Sequence, residues 1–151
     1  MLAICSISVS AQLNREDQVS TKIFLEAEDV TRSYLENPIK PAYPEAAEKA
    51  ALQGEVLMFV TFDQNGKLIE TKALRSPDEA LSRAVVDALE GCKIKPHSPL
   101  HPDAIYHSEL RFIFSLSDGK PKVSEAPVKE QRVVSKEFTQ EIERRRKKDL
   151  I

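Results

Sequence analysis

Gly54-Glu55-Val56-Leu57-Met58-Phe59-Val60-Thr61-Phe62-Asp63-Gln64-Asn65-Gly66-Lys67 reads as a strand running into a reverse turn. Val56, Met58, Val60 and Phe62 fall on one face, and Leu57, Phe59 and Thr61 on the other. Asn65-Gly66 is a hairpin signal, because both residues tolerate positive φ. A strand over 55–63 is therefore expected, with 67–75 returning beside it. The alternation of the return is imperfect, which predicts a bulge.

On the N-terminal side, Pro44 suits the first helical position, where its missing N–H costs nothing. Glu45 and Glu48 lie at the positive end of the helix dipole. Ala46, Ala47, Ala50 and Ala51 form a small-residue face, so a helix over 44–52 closed by Gly54 is expected. On the C-terminal side, Ser76 is a candidate cap and Leu81, Ala84, Val85, Ala88 and Leu89 recur at helical spacing up to Gly91. After Lys93-Ile94-Lys95-Pro96 and a loop holding Pro99 and Pro102, a last strand at about 105–116 places Leu110, Phe112, Phe114 and Leu116 on one side. Asp118-Gly119 ends it.

The flanks read differently. Residues 13–37 carry apolar side chains near helical spacing, which predicts a helix or helix pair stopped by Asn37-Pro38. Residues 119–131 are polar with two prolines and read as linker. Val134, Phe138 and Ile142 mark a final amphipathic helix ending in Arg144-Arg145-Arg146-Lys147-Lys148. Segments 1–40, 41–119 and 120–151 carry charges of −2, −4 and +4. A total of −2 with a basic tail is not the balance of a nucleic-acid binder. No apolar run approaches the 18 or so residues of a membrane span.

Met1–Gln12 is apolar, and Val9-Ser10-Ala11 suits signal-peptidase cleavage after Ala11, although no basic residue precedes the run. Leu2-Ala3-Ile4-Cys5 departs from a lipoprotein box at the bulky Ile4. With a leader removed, Cys92 is the remaining cysteine and has no internal partner.

Candidate chemistry is thin. Cys92 with His97, His101 and His107 is too loosely spaced for a zinc set and lacks a Cys-x-x-Cys pair. Asp78-Glu79 is explained by a first helical turn. The sequence holds no Gly-x-Ser-x-Gly, no His-Glu-x-x-His and no glycine-rich phosphate loop. No enzyme, cofactor or metal site is expected. The 144–148 run complements the end of a helix dipole, with contact to anionic lipid as the alternative.

Taken in order, Tyr43-Pro44-Glu45-Ala46-Ala47, Gly54-Glu55-Val56, Asp63, Asn65-Gly66, Leu81 to Ala88, Lys93-Ile94-Lys95-Pro96 and Phe112-Ile113-Phe114 resemble the C-terminal domain of TonB, the periplasmic energy-transducing protein of Gram-negative bacteria. Cys92 and Ile94 stand where such domains usually carry aromatics. The resemblance implies an α+β fold, two helices packed on a three-stranded antiparallel sheet (αββαβ), here with helical N- and C-terminal extensions. The expected division is a signal peptide over 1–11, a helical segment over 12–40, the TonB-like domain over 41–118, and a linker with a basic helix over 119–151.

The resemblance also implies a function. A stand-alone periplasmic module would bind an extended segment of an outer-membrane receptor, or another envelope protein, by adding it as a strand in TonB-linked transmembrane transport. No integral membrane span is expected. The rim would be the outer edge of the last strand, at Tyr106, His107, Ser108, Glu109, Leu110, Arg111, Phe112, Ile113 and Phe114. Two alternatives stand beside it: a scaffold that uses the same edge to pair with a second copy as a homodimer, or an edge blocked by the chain's own C-terminal segment.

Overall fold

The computed structural model describes residues 22–96 and 103–149. In chain order it holds β1 (Lys22–Glu26), α1 (Glu28–Ser33), α2 (Glu45–Lys49), β2 (Gly54–Phe62), β3 (Leu68–Arg75), α3 (Glu79–Leu89), β4 (Ala104–Ser117), β5 (Lys120–Glu125), α4 (Val128–Gln131) and α5 (Lys136–Asp149). The expected leader, and His97 and His101, lie outside the described residues.

The expected hairpin is present. β2 and β3 pair antiparallel, with register shifts at Leu57/Met58 and Thr61/Phe62 that correspond to the broken alternation of β3. Gly66 takes φ +77, and a Cβ there would stand 1.9 Å from the Ile94 carbonyl oxygen. That close approach lets the Ile94 N–H donate to the Gly66 carbonyl at 2.8 Å, tying the hairpin to the 93–96 segment.

The sheet is larger than the expected three antiparallel strands. It runs β1-β4-β2-β3, with β5 also paired to β4, and β1 lies parallel to β4. Two misread flanks explain the difference. The expected helix over 13–37 is, in its described part, a strand followed by a short helix. Phe24 is held on β1 by stacking on Tyr106, with ring centroids 5.4 Å apart, a tertiary contact that outweighs helical spacing. The expected linker over 119–131 is instead β5 and α4. Asp118 at φ 52 and Gly119 at φ 72 are consecutive left-handed residues, so the pair ends β4 at Ser117 as expected and also turns the chain back as a hairpin into β5.

Smaller corrections concern caps. Asp78, not Ser76, caps α3, its Oδ1 accepting the Ala80 N–H at 2.8 Å. After α2 the left-handed residue is Ala51, and Gly54 opens β2 at φ +140, where a Cβ would meet Pro77 at 2.5 Å.

Both faces of β2 are covered. Val56, Met58, Val60 and Phe62 join Leu81, Val85 and Leu89 of α3 and Leu110, Phe112 and Phe114 of β4 in the main core. On the opposite face Phe59 meets Phe138 and Ile142 of α5, with Leu74 beside them. The result is three layers: α2 and α3, the sheet, then α5.

Candidate partner-binding rim

The outer rim of β4 is occupied by the chain itself. Residues 104–108 pair with 22–26 of β1, and residues 112–117 pair with 120–125 of β5. Between them, α1 supplies side chains in place of a strand. The Arg111 N–H donates to Glu28 Oε1 at 2.7 Å, and Arg32 Nη2 donates to the Arg111 carbonyl at 2.8 Å. The expectation of an open edge at 106–114 is thereby corrected. The sequence held a short apolar strand and a tight hairpin that satisfy the same backbone groups within one chain, where an intermolecular partner would have to pay additional ordering entropy.

The nine expected rim residues are distributed accordingly. Tyr106, Leu110, Phe112 and Phe114 lie in the main core. Ser108 is buried against Thr31, whose Oγ1 lies 2.8 Å from Ser108 Oγ. His107, Glu109 and Arg111 are buried too, and Ile113 stands opposite Ser124 of β5. What the sequence reading missed was the strap: Phe24, Glu28, Thr31 and Arg32. The signals were the Ile23-Phe24-Leu25 run and the Asp118-Gly119 pair.

Glu28 is fully buried, and burial pushes its carboxyl above the ordinary range against the pull of the Arg111 N–H and the Arg32 guanidinium. Arg32 binds it through Nε and Nη2 at 2.9 and 2.8 Å, reaches Glu125 of β5 at 2.8 Å, and lies 4.9 Å from the Phe112 ring centroid. One guanidinium thus joins α1, β4 and β5. Arg111 performs a similar task on the α5 face. Its Nη2 binds Glu109 at 2.5 Å and the Val133 carbonyl, its Nη1 binds the Glu130 carbonyl at 2.8 Å, and its Nε stands 3.6 Å from Glu28 Oε2.

The basic run at 144–148 is partly structural. Arg145 folds back to Glu70 at 2.6 Å and Glu141 at 3.0 Å, and its guanidinium lies 4.3 Å from the Phe59 ring centroid. Lys72 also reaches Glu141, at 2.8 Å. Hydrogen bonding to Arg145 draws the Glu70 carboxyl below its ordinary range, and that to Lys72 does the same for Glu141. His107, whose Nδ1 lies 2.9 Å from Thr61 Oγ1, is held below its usual range by burial and then by Arg145.

All three depressed groups contribute stability at neutral pH that acid removes. The His107 contribution is complete above its ordinary pKa of 6.5 and falls away below it. Those of Glu70 and Glu141 are complete above 4.5 and are lost as pH falls through their lowered values. Amide exchange of 138–145, corrected for its intrinsic pH dependence, should therefore lose protection in two stages, the first as pH falls below 6.5 and the second as it falls below 4.5. Protection that does not change with pH would contradict this.

Cys92 is half-buried and reduced, its thiol pushed up by burial. No helix among the described residues is long and apolar enough to cross a membrane. Comparison with curated proteins and with solved structures gives no match. The family model for the Gram-negative bacterial TonB protein C-terminal matches residues 39–116, from the approach to α2 through nearly all of β4. That match spans more than half of the chain, which therefore belongs to the TonB C-terminal domain family.

Proposed function

We propose that this chain is a periplasmic protein-binding module of TonB-linked transport, taking an extended segment of an outer-membrane receptor, or of another envelope protein, as an added strand on β4. The segment enters at 104–108 and displaces β1. The observation that carries the reading is the unequal cover of the rim. β5 is held by a two-residue hairpin, whereas β1 is a five-residue parallel strand reached from α1, with Ile23 54% and Leu25 49% exposed. Family membership supplies the class of partner: this is a family of protein-interaction domains, not of enzymes.

The energetics suit a reversible exchange. Net backbone hydrogen bonds contribute about 0.5–1.5 kcal/mol each, so a segment replacing β1 recovers roughly what it breaks. Side chains then decide affinity, which keeps the full chain weaker than the micromolar range an open rim of this length would reach. Phe24→Ala removes the stack on Tyr106 and part of the buried area of β1, about 1–2 kcal/mol, and should tighten receptor-peptide binding by about tenfold. Titration of receptor-derived peptides, followed by the amide shifts of 104–108, checks this. Unchanged affinity, or no shift in either form, would defeat the reading. Self-association through the same rim meets the same obstacle, since β1 and β5 already occupy it.

A further inference from the structure

The far side of the sheet has a different character. β3 is an edge strand, paired with β2 on one side only. The Leu68 N–H is taken by the Cys92 carbonyl at 3.3 Å, but beyond it no backbone partner lies on the outer side of β3 among the described residues. Between the two register shifts, residues 70–73 keep regular pairing with 58–61, so this stretch presents an undistorted ladder outward.

Edge strands are ordinarily guarded by charged side chains that reach past the rim. Here those charges are tied down on the α5 face. Glu70 is held by Arg145 and Lys72 by Glu141, while Arg75 at the far end binds Glu137 and Glu55. On the α3 face the rim borders a groove of about 310 Å³, lined by Ile69 and Thr71 of β3 and by Val86, Asp87, Glu90 and Gly91 on and after α3. Ile69 is 52% and Val86 39% exposed. Asp87 and Glu90 are exposed, and neither carboxylate has an ionic or hydrogen-bonding partner among the described residues.

The geometry points to a second strand-addition site on β3, distinct from the β4 rim, which takes an extended protein segment carrying apolar and basic side chains on the face toward α3. Backbone groups of 70–73 pair with the incoming strand, its apolar side chains cover Ile69 and Val86, and its cations meet Asp87 and Glu90. A second copy of this chain is the poorer occupant. Antiparallel β3 pairing about a two-fold axis normal to the sheet places both α3 helices on the same side, so that the two acidic flanks approach one another.

The test uses the full chain and a blocked ten-residue peptide with Thr at every odd position and Val and Lys alternating at the even ones. A second peptide carries Glu in place of each Lys. Amide shifts should centre on 70–73 and Val86, with the Lys peptide binding about tenfold more tightly, the size expected from changing two exposed charge pairs from attraction to repulsion. The exposed double variant Asp87→Lys, Glu90→Lys should reverse that preference. Equal binding of both peptides, shifts confined to β1 and β4, silence at 70–73 up to millimolar peptide, or a peptide-free dimer paired through β3 would each overturn the assignment.

Discussion

Replacing Arg111 by Met is expected to destabilise the protein by about 3–5 kcal/mol, because it leaves the buried Glu109 carboxylate without a cation and Glu28 with Arg32 alone. Glu109 and Glu28 are both buried, and each draws part of its compensation from the Arg111 guanidinium. The same side chain holds the Glu130 and Val133 carbonyls, so α4 and the segment leading to α5 lose their anchor on β4. The companion variant Glu109→Gln, Arg111→Met changes one residue more and should nevertheless cost less, since the buried charge at 109 goes with its partner while Glu28 keeps Arg32. Urea denaturation of both proteins separates the two costs. A single variant as stable as the parent would show that the cluster does not hold α4 to the sheet.

Phe59→Ala is the second large effect. Phe59 is fully buried in the middle of β2 and faces α5, with Phe138 at 5.5 Å and His107 at 5.0 Å between ring centroids, and the Arg145 guanidinium over its ring. Truncation creates a cavity that the rigid sheet cannot close, for a loss of about 3–5 kcal/mol. At roughly 2–4 °C per kcal/mol for a chain of this size, the midpoint of thermal unfolding should fall by about 10 °C. Amides of 138–145 should lose protection before those of β2 and β4. Uniform loss across the sheet would mean that α5 and the central strands unfold as one unit.

The central domain was legible because its signals are local. Alternation over 55–63, the Asn65-Gly66 turn and the apolar spacing of 81–89 each dictate one element, and each element lies close to its expected place. The fate of the β4 rim was not legible in the same way. Phe24 belongs to a strand only once Tyr106 lies opposite it, and Glu28 caps Arg111 across 83 residues of sequence. Helical spacing over 13–37 was a real pattern, but in its described part Phe24 and Thr31 find partners on β4, at Tyr106 and Ser108. The Asp118-Gly119 pair does end the last strand, and two adjacent residues that tolerate positive φ are also a turn signal of the same kind as Asn65-Gly66, which is how β5 comes to follow.

These elements change how a family member of this kind would work. A bare three-stranded sheet offers its last strand to any extended peptide, with affinity set by the backbone and little selectivity. Here β1 stands in that place, and under the proposed exchange a partner competes with a tethered strand of the same protein. Tethering gives β1 a high effective concentration, which lowers the affinity of every incoming segment alike, so that only the stronger ones would occupy the rim.

Fixing β1 in place tests that competition most directly. In a Cys5→Ser, Cys92→Ser background, Phe24→Cys and Tyr106→Cys stand at facing positions of the parallel pair and can be joined by a disulfide. The oxidised protein should fold normally but show no shift of the 104–108 amides with receptor-derived peptides, and reduction should restore binding. Equal binding in the oxidised and reduced forms would contradict a partner site that opens by release of β1.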